Sequence, residues 1–482
     1  MSELAFASAV EQAARVRARE ISPLELVDLY LERIERIDPL LNAFVTVCAD
    51  EARAEAKRKE SDPTDAPFHG VPIPVKDLHE TAGIRTTYSS RAFADYVPAR
   101  DAAVVRRLRD AGFVVLGKTN TPELGTIGVT ESKLNGACRN PWDTTRTPGG
   151  SSGGAAAAVA AGLAPVAQGS DGGGSIRNPA SCCGLFGIKP SRGRVSPAPY
   201  GPGVMGLGSS GPIARTVADA AALLDVMAGY EPGDSIRLDA PERPFTEAAR
   251  AEPAHLRIAV AVEPPVDVPV DPACAEAARE CASLLADLGH DVSEQSPDWD
   301  DEAFPSAWST FVTGALQHIV RVLARLHDRP VDPELAEPAT RAWLLDSPPV
   351  TLFDYLEAQE RLIAFSRRIL RSWPPEAVLV TPTLTRLPAP IEALRSRAGV
   401  TDDAVRFSAL VRLWNVTGQP AISLPLHETG DGVPVGVQLV GPPGREDLLL
   451  ALAAQLEASA GWAPQPPVPA ERLKLSGTPS SA

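Results

Sequence analysis

The sequence predicts an α/β layer protein built on a mainly parallel or mixed sheet. Short apolar runs read as buried strands: "FVVL" (113–116), "LRIAVAV" (256–262) and the segments 377–380, 421–424 and 435–440. Helical patterns at about 272–288, 405–414 and 445–458 fall among them. Strands that alternate with helices bury both sets of apolar faces by layering, which gives the α/β class.

The individual elements follow from local chemistry. Ser22-Pro23-Leu24-Glu25 is a capping box with proline at the first helical position. The run "PLELVDLYLERIERI" then repeats apolar residues at helical spacing, and Asp38-Pro39 predicts its end. "GVPIPVKD" (70–77) reads as extended, because valine and isoleucine alternate with prolines. "DAAVVRRLRDAG" (101–112) reads as a capped helix closed by glycine. "GGSSGG" (149–154) opens an alanine-rich helix. The stretch 296–375 is helical in pattern and holds Trp299, Trp308, Trp343 and Trp373, with Phe304, Phe311, Phe353 and Tyr355.

Composition excludes several classes. The 482 residues are 44% apolar, enough for a large core and too many for a disordered chain. A formal charge of −15 argues against a nucleic-acid surface. The cysteines (Cys48, Cys138, Cys182, Cys183, Cys274, Cys281) form no C-x-x-C, and the histidines show no metal-binding spacing. No signal-peptide pattern opens the chain, and the apolar run 155–167 is too short to span a bilayer. A cytoplasmic protein is expected, with no membrane partner.

Three chemistries compete. "GFVVLGKT" (112–119) matches the phosphate-loop pattern letter for letter. That motif needs a strand before a flexible loop, whereas here the loop interior is itself the strand. Lys118 is therefore read as structural or near a substrate entrance. "GSSGG" (150–154) contains G-x-S-x-G around Ser152, the pattern of a nucleophile elbow, but no strand precedes it. The third reading joins two glycine-serine stretches. Ser151 and Ser175 are separated by the alanine-rich helix and a turn, so their loops can meet at one end of the sheet. Lys76 ends the proline-stiffened strand, where burial would favour its neutral form. Neutral lysine can serve as base for a serine nucleophile. Deprotonating an ordinary lysine at pH 7 costs about 4.6 kcal/mol, so the site must lower its pKa. The glycine amides before Ser175 could hold a developing oxyanion.

These residues resemble the amidase signature family. The pieces are "GVPIPVKD" (70–77), "GKTNTPELG" (117–125), "RNPWDTTRTPGGSSGG" (139–154), "GSDGGGSIRNPASCCGLFGIKPSRGRVS" (169–196), "NVTGQPAISLPL" (415–426) and "GVPVGVQLVGPPGREDLLLALAAQLE" (432–457). The resemblance spans about residues 5–460. It implies the amidase signature fold, a central mixed sheet covered by helices on both faces. It implies a Ser–cis-Ser–Lys triad with Ser175 as nucleophile, Ser151 as bridge after a cis peptide, and Lys76 as base. The implied oxyanion hole is Gly172, Gly173 and Gly174 with the Ser175 amide. Ser152, Asp171 and Arg177 are implied as supporting residues.

The resemblance further implies an amidohydrolase that needs no metal or cofactor. Its substrate would be a small, partly apolar amide, anilide or carbamate, cleaved by a monomer or homodimer. The alternative is a glutamyl-tRNA amidotransferase A-type subunit. Asn178 stands where that branch commonly has glutamine, which favours the hydrolases, and the C-terminal motifs look most like the cyclic-dimer and aryl-amide hydrolase branch. Gly172 stands where many members carry isoleucine or threonine, which would open room beside the nucleophile. The expected organisation is a helical segment 1–60, the amidase signature domain 61–470 with a helical, aromatic-rich insertion 296–375 near the pocket, and a disordered tail 471–482.

Overall fold

The structure, a computed structural model, describes residues 2–199, 206–326, 328, 332–374, 376–396, 399–400 and 406–462. The tail expected from residue 471 lies outside them. The described chain builds on one mixed sheet of 11 strands flanked by helices. From edge to edge the strands are Phe44–Val47, Val114–Thr119, Pro72–Lys76, Val166–Asp171, Ser209–Ala214, Phe186–Lys189, Ala421–Glu428, Pro434–Val440, Val378–Pro382, Arg257–Val260 and Asp291–Glu294. The first 61 residues are mostly helical, but they also supply Phe44–Val47, the edge strand of this sheet.

Pro72–Lys76 is buried along its whole length and lies inside the sheet. Two prolines are unusual in an interior strand, because each removes a ladder donor. The ladder adjusts. Pairing with Val114–Thr119 is parallel and slips between Ile73 and Pro74. On the other side one register pair, Val75 with Gln168, joins it to Val166–Asp171. The Gln168 side chain completes that junction: its Oε1 accepts from the Lys76 amide at 3.1 Å. The strand end carrying Lys76 is thus fixed by a side chain where the backbone ladder is thin.

The helix Gly153–Ala160 is buried throughout and runs behind this end of the sheet. Its glycines allow a backbone approach that no side chain would permit. A Cβ on Gly154 would stand 2.3 Å from the Asn120 amide nitrogen and 2.5 Å from the Ala43 carbonyl oxygen. Ser151 and Ser152 enter this helix, so its seat fixes their positions.

Two boundaries differ from the sequence reading. The helix expected to stop before Asp38-Pro39 runs Pro23–Leu41 with Pro39 inside it. Pro39 and Glu35 are both exposed, so water can replace the hydrogen bond that proline removes. Asn42 then closes the helix in the left-handed region, and Asp38 accepts from the Ala43 and Phe44 amides at 2.7 and 3.2 Å. The helix expected over about 405–414 is interrupted: residues 406–407 are helical, 408–412 form a run of turns, and a short helix, Leu413–Thr417, follows. Carbonyls there are drawn to buried side chains: Val411 accepts from Arg177 and Leu410 from Gln438.

The Gly154 contact yields a test. Gly154→Ala should cost about 1–3 kcal/mol through overpacking, read as a lower denaturant midpoint. An unchanged midpoint would contradict this packing.

Candidate active site

Lys76 is fully buried, and its Nζ reaches three oxygens: Ser151 Oγ at 2.8 Å, Ser152 Oγ at 2.8 Å and the Ser170 carbonyl at 3.3 Å. Burial lowers its pKa from the ordinary lysine value to about 7, while the charge of Asp171 acts in the opposite direction. Ser152 Oγ in turn donates to the Ser170 carbonyl at 3.1 Å. The peptide Gly150–Ser151 is cis. The Ser152 amide donates to the Ser175 carbonyl at 3.1 Å, which ties the two glycine-serine loops together. Ser151 and Ser175 both line one cavity of about 810 Å³.

A buried ion pair holds the second loop. Arg177 Nε and Nη2 donate to the two carboxylate oxygens of Asp171, each at 2.9 Å. Asp171 also accepts from the Gly174 amide at 2.7 Å and the Ile176 amide at 3.2 Å. Burial alone would raise the Asp171 pKa, but the Arg177 charge and hydrogen bonds hold it well below the usual carboxylate range. The remaining Arg177 donors reach the Val411 carbonyl, Gln438 Oε1 and Asn415 Oδ1 at 2.7–2.8 Å. Asn415 Nδ2 closes the network on Asp171 Oδ1 and the carbonyls of Asp171 and Leu207, each at 3.0 Å. The loop that carries Ser175 is therefore anchored at its base from several directions.

This geometry sits beside a match between a family model for amidases and residues 25–450. The chain belongs to the amidase signature family. It is 40% identical over 484 residues to the 6-aminohexanoate-cyclic-dimer hydrolase of Paenarthrobacter ureafaciens, covering 95% of this chain and 96% of that protein. A solved structure of 6-aminohexanoate cyclic dimer hydrolase is similar with a TM-score of 0.91 and 38% identity, over 96% of this chain and 99% of that one. A bacterial aryl acylamidase of the amidase signature family is similar with a TM-score of 0.85 and 27% identity, over 95% and 97% of the two chains. The protein is an amidase, a hydrolase of carbon–nitrogen amide bonds.

The fold joins Lys76 to Ser151 and Ser152, ties Ser175 to Ser152 through its carbonyl, and pairs Asp171 with Arg177 on the loop that carries Ser175. Gly172 and Gly173 line the cavity. Gly174 requires a correction as an oxyanion donor: its N–H already serves Asp171 Oδ1. Among the described residues, the amides of Gly172, Gly173 and Ser175 donate to no protein acceptor. Ser152 does not stand as a nucleophile elbow, since its Oγ is buried between Lys76 and Ser170. Lys118 holds the loop after Lys76: its Nζ donates to Thr81 and Thr86 hydroxyls at 2.9 and 3.0 Å and to the His79 carbonyl. The phosphate-loop pattern is thus strand Val114–Thr119, and its lysine is a buried structural residue within that strand.

Sequence reasoning missed the parts of the site that lie far apart in the chain. Gln168, Asn415 and Gln438 hold its backbone, and each is an ordinary buried amide in its own strand or helix. His79 also lines the cavity; burial, with the charges of Lys118 and Lys76, pushes its pKa down to about 3, so its ring is neutral. Among the described residues, no helix is long and apolar enough to cross a membrane, and no cluster of side chains has a metal-binding arrangement.

Removing one member of the buried pair leaves the other uncompensated. Arg177→Met should destabilise the enzyme by about 3–5 kcal/mol, measured by chemical denaturation. A change under 1 kcal/mol would mean that Asp171 finds another partner.

Proposed function

We propose that this amidase cleaves a small, partly apolar amide, anilide or carbamate through a Ser–cis-Ser–Lys triad and an acyl-enzyme. The reading is carried by the buried Lys76 Nζ, 2.8 Å from Ser151 Oγ, at a cavity that Ser175 also lines. A neutral lysine has two N–H groups and one lone pair. Ser152 Oγ and the Ser170 carbonyl can take the two N–H groups. The lone pair is then left for the Ser151 hydroxyl. Ser152 cannot compete as proton donor, because its own hydrogen serves the Ser170 carbonyl.

The reaction follows from that arrangement. Ser175 attacks the carbonyl carbon as its proton passes to Ser151 and the Ser151 proton passes to Lys76. Negative charge develops on the carbonyl oxygen, where the amides of Gly172, Gly173 and Ser175 are the available donors. One such donor is typically worth about 3 kcal/mol in the transition state. The relay then runs backward and protonates the leaving nitrogen, so amine departs and the acyl group stays on Ser175. Water, activated by the same relay, hydrolyses the ester and restores Ser175. No step calls for a metal or cofactor. With a carbamate the same attack at the carbonyl releases the same amine.

Two measurements test this. Ser175→Ala should lower amine release from an anilide and carbamate panel by about a thousandfold or more, and full activity in that variant would sink the mechanism. The pH profile tests the base. A neutral Lys76 is required, and its pKa lies at about 7, so kcat/KM should rise with pH and level off above it. At pH 6 the rate should be about tenfold below the plateau. Lys76→Arg, which stays charged, should be inactive throughout; a profile that falls from pH 6 to pH 8 would rule out lysine as the base.

A further inference from the structure

The cavity is roofed by one face of the helix Phe304–Leu326. Pro305, Trp308, Val312, Leu316 and Ile319 line it at helical spacing. At about 1.5 Å rise per residue, Trp308 and Ile319 stand roughly 16 Å apart along the axis. The two ends of this roof cover different ground.

At one end the roof meets the glycine loop. A Cβ on Gly173 would stand 3.4 Å from Trp308 Cζ2. Beside it, a Cβ on Gly172 would meet only the Gly208 Cα, at 4.0 Å. Among the described residues nothing lies within 4 Å of a Cβ placed on Gly208. All three glycines line the cavity, and none of them has the left-handed backbone that excludes side chains. Among the described residues this end is a gap bordered by glycines.

At the other end Ile319 packs with Leu124. The next residue, Gly125, adjoins the bridging serine: a Cβ there would be 3.2 Å from Ser151 Oγ and 2.6 Å from Leu78 Cδ1. Leu78 and Leu124 both line the cavity. The reacting serines therefore lie beneath the roof and between its ends, with open glycine backbone on one side and a leucine–isoleucine wall on the other. A primary amide of a small acid would fill little of a cavity of about 810 Å³, and ammonia, its leaving group, would leave one side empty.

We infer that the cavity has two arms, and that the preferred substrates are secondary amides or carbamates with an extended apolar group on each side of the scissile bond. The Gly172–Gly208 gap takes one group and the Leu78–Leu124–Ile319 wall takes the other. This inference rests on the hydrolytic reading above and adds to it the shape of the substrate.

The test uses the full chain and four amides: hexanamide, N-methylhexanamide, N-hexylacetamide and N-hexylhexanamide, with released amine and acid measured by mass spectrometry. N-hexylhexanamide should exceed hexanamide in kcat/KM at least tenfold. Gly208→Val should fill one arm and Ile319→Trp the other. Each variant should lower kcat/KM at least tenfold for one of the mirror pair, N-methylhexanamide or N-hexylacetamide, and less than threefold for the other. The two variants must act on opposite members. Thermal unfolding of both variants, with Ile319→Phe as a smaller replacement, separates blocked binding from a damaged fold. Variants that act on the same member or on both alike, or a preference for hexanamide, would overturn the inference alone, provided turnover is lost in Ser175→Ala. Turnover that survives Ser175→Ala would overturn the catalytic reading and this inference with it.

Discussion

The proposed active site depends on keeping an amine buried without giving it a counter-ion. Lys76 is fully buried, and a pKa of about 7 in place of the ordinary lysine value represents on the order of 5 kcal/mol of disfavoured charge. The nearest threat to that state is Asp171, whose charge pulls the lysine pKa back up. Arg177 meets the threat directly, for it takes both carboxylate oxygens of Asp171 at 2.9 Å. The pair therefore has two consequences. It fixes the loop that carries Ser175, and it leaves Lys76 with hydroxyls and a carbonyl instead of a carboxylate. A buried ion pair is weak evidence for stability as such. Its value here lies in where it directs the charge.

The same constraint explains the small residues around the site. A lysine can be surrounded by serine hydroxyls only if two loops and a helix entry converge on one strand end. Gly153 and Gly154 allow that convergence, since a Cβ on either would stand 2.3 Å from a neighbouring atom, Thr130 Oγ1 or the Asn120 amide nitrogen. The alanines that follow keep the helix Gly153–Ala160 thin enough to lie fully buried. On the strand side, prolines remove ladder donors, and Gln168 restores one contact at the Lys76 amide. Backbone economy and lysine chemistry are thus two aspects of one packing problem.

The residues of the proposed triad were more legible in the sequence than the residues that support them. Lys76, Ser151 and Ser175 stand in local motifs whose glycines and prolines announce unusual backbone. Asp171 and Arg177 stand in the same short stretch as Ser175. Gly174 shows the limit: composition marks it as a flexible amide, but in the folded loop that amide serves Asp171. Asn415, Gln438 and Gln168 were illegible for a physical reason. Each acts through a contact made by tertiary packing, across hundreds of residues for Asn415 and Gln438. The fold class followed from apolar periodicity, yet the helix expected over 405–414 is broken by turns at 408–412. Its carbonyls are used by Arg177 and Gln438, so a tertiary hydrogen-bond demand overrode a local pattern.

The proposed catalytic groups and the proposed substrate contacts also come from different parts of the chain. The strand ends and glycine loops that hold the serines belong to the sheet. The cavity roof belongs to Phe304–Leu326 and the segment after it, within the aromatic-rich stretch whose pocket role sequence could not assign residue by residue. A polar contact seats that stretch, with Glu337 donating its amide to Glu123 Oε2 at 2.8 Å, and within it Trp343 Nε1 donates to Thr313 Oγ1 at 2.5 Å. Its aromatic residues divide by role. Phe304, Phe311 and Phe365 pack in a buried cluster, whereas Trp308 and Trp343 face the cavity. A roof attached this way can change its cavity-facing residues without disturbing the Lys76–Ser151 contact beneath it. On the proposed reading, reaction type is set by the burial of one lysine, and substrate shape by one helix face that need not share its constraints.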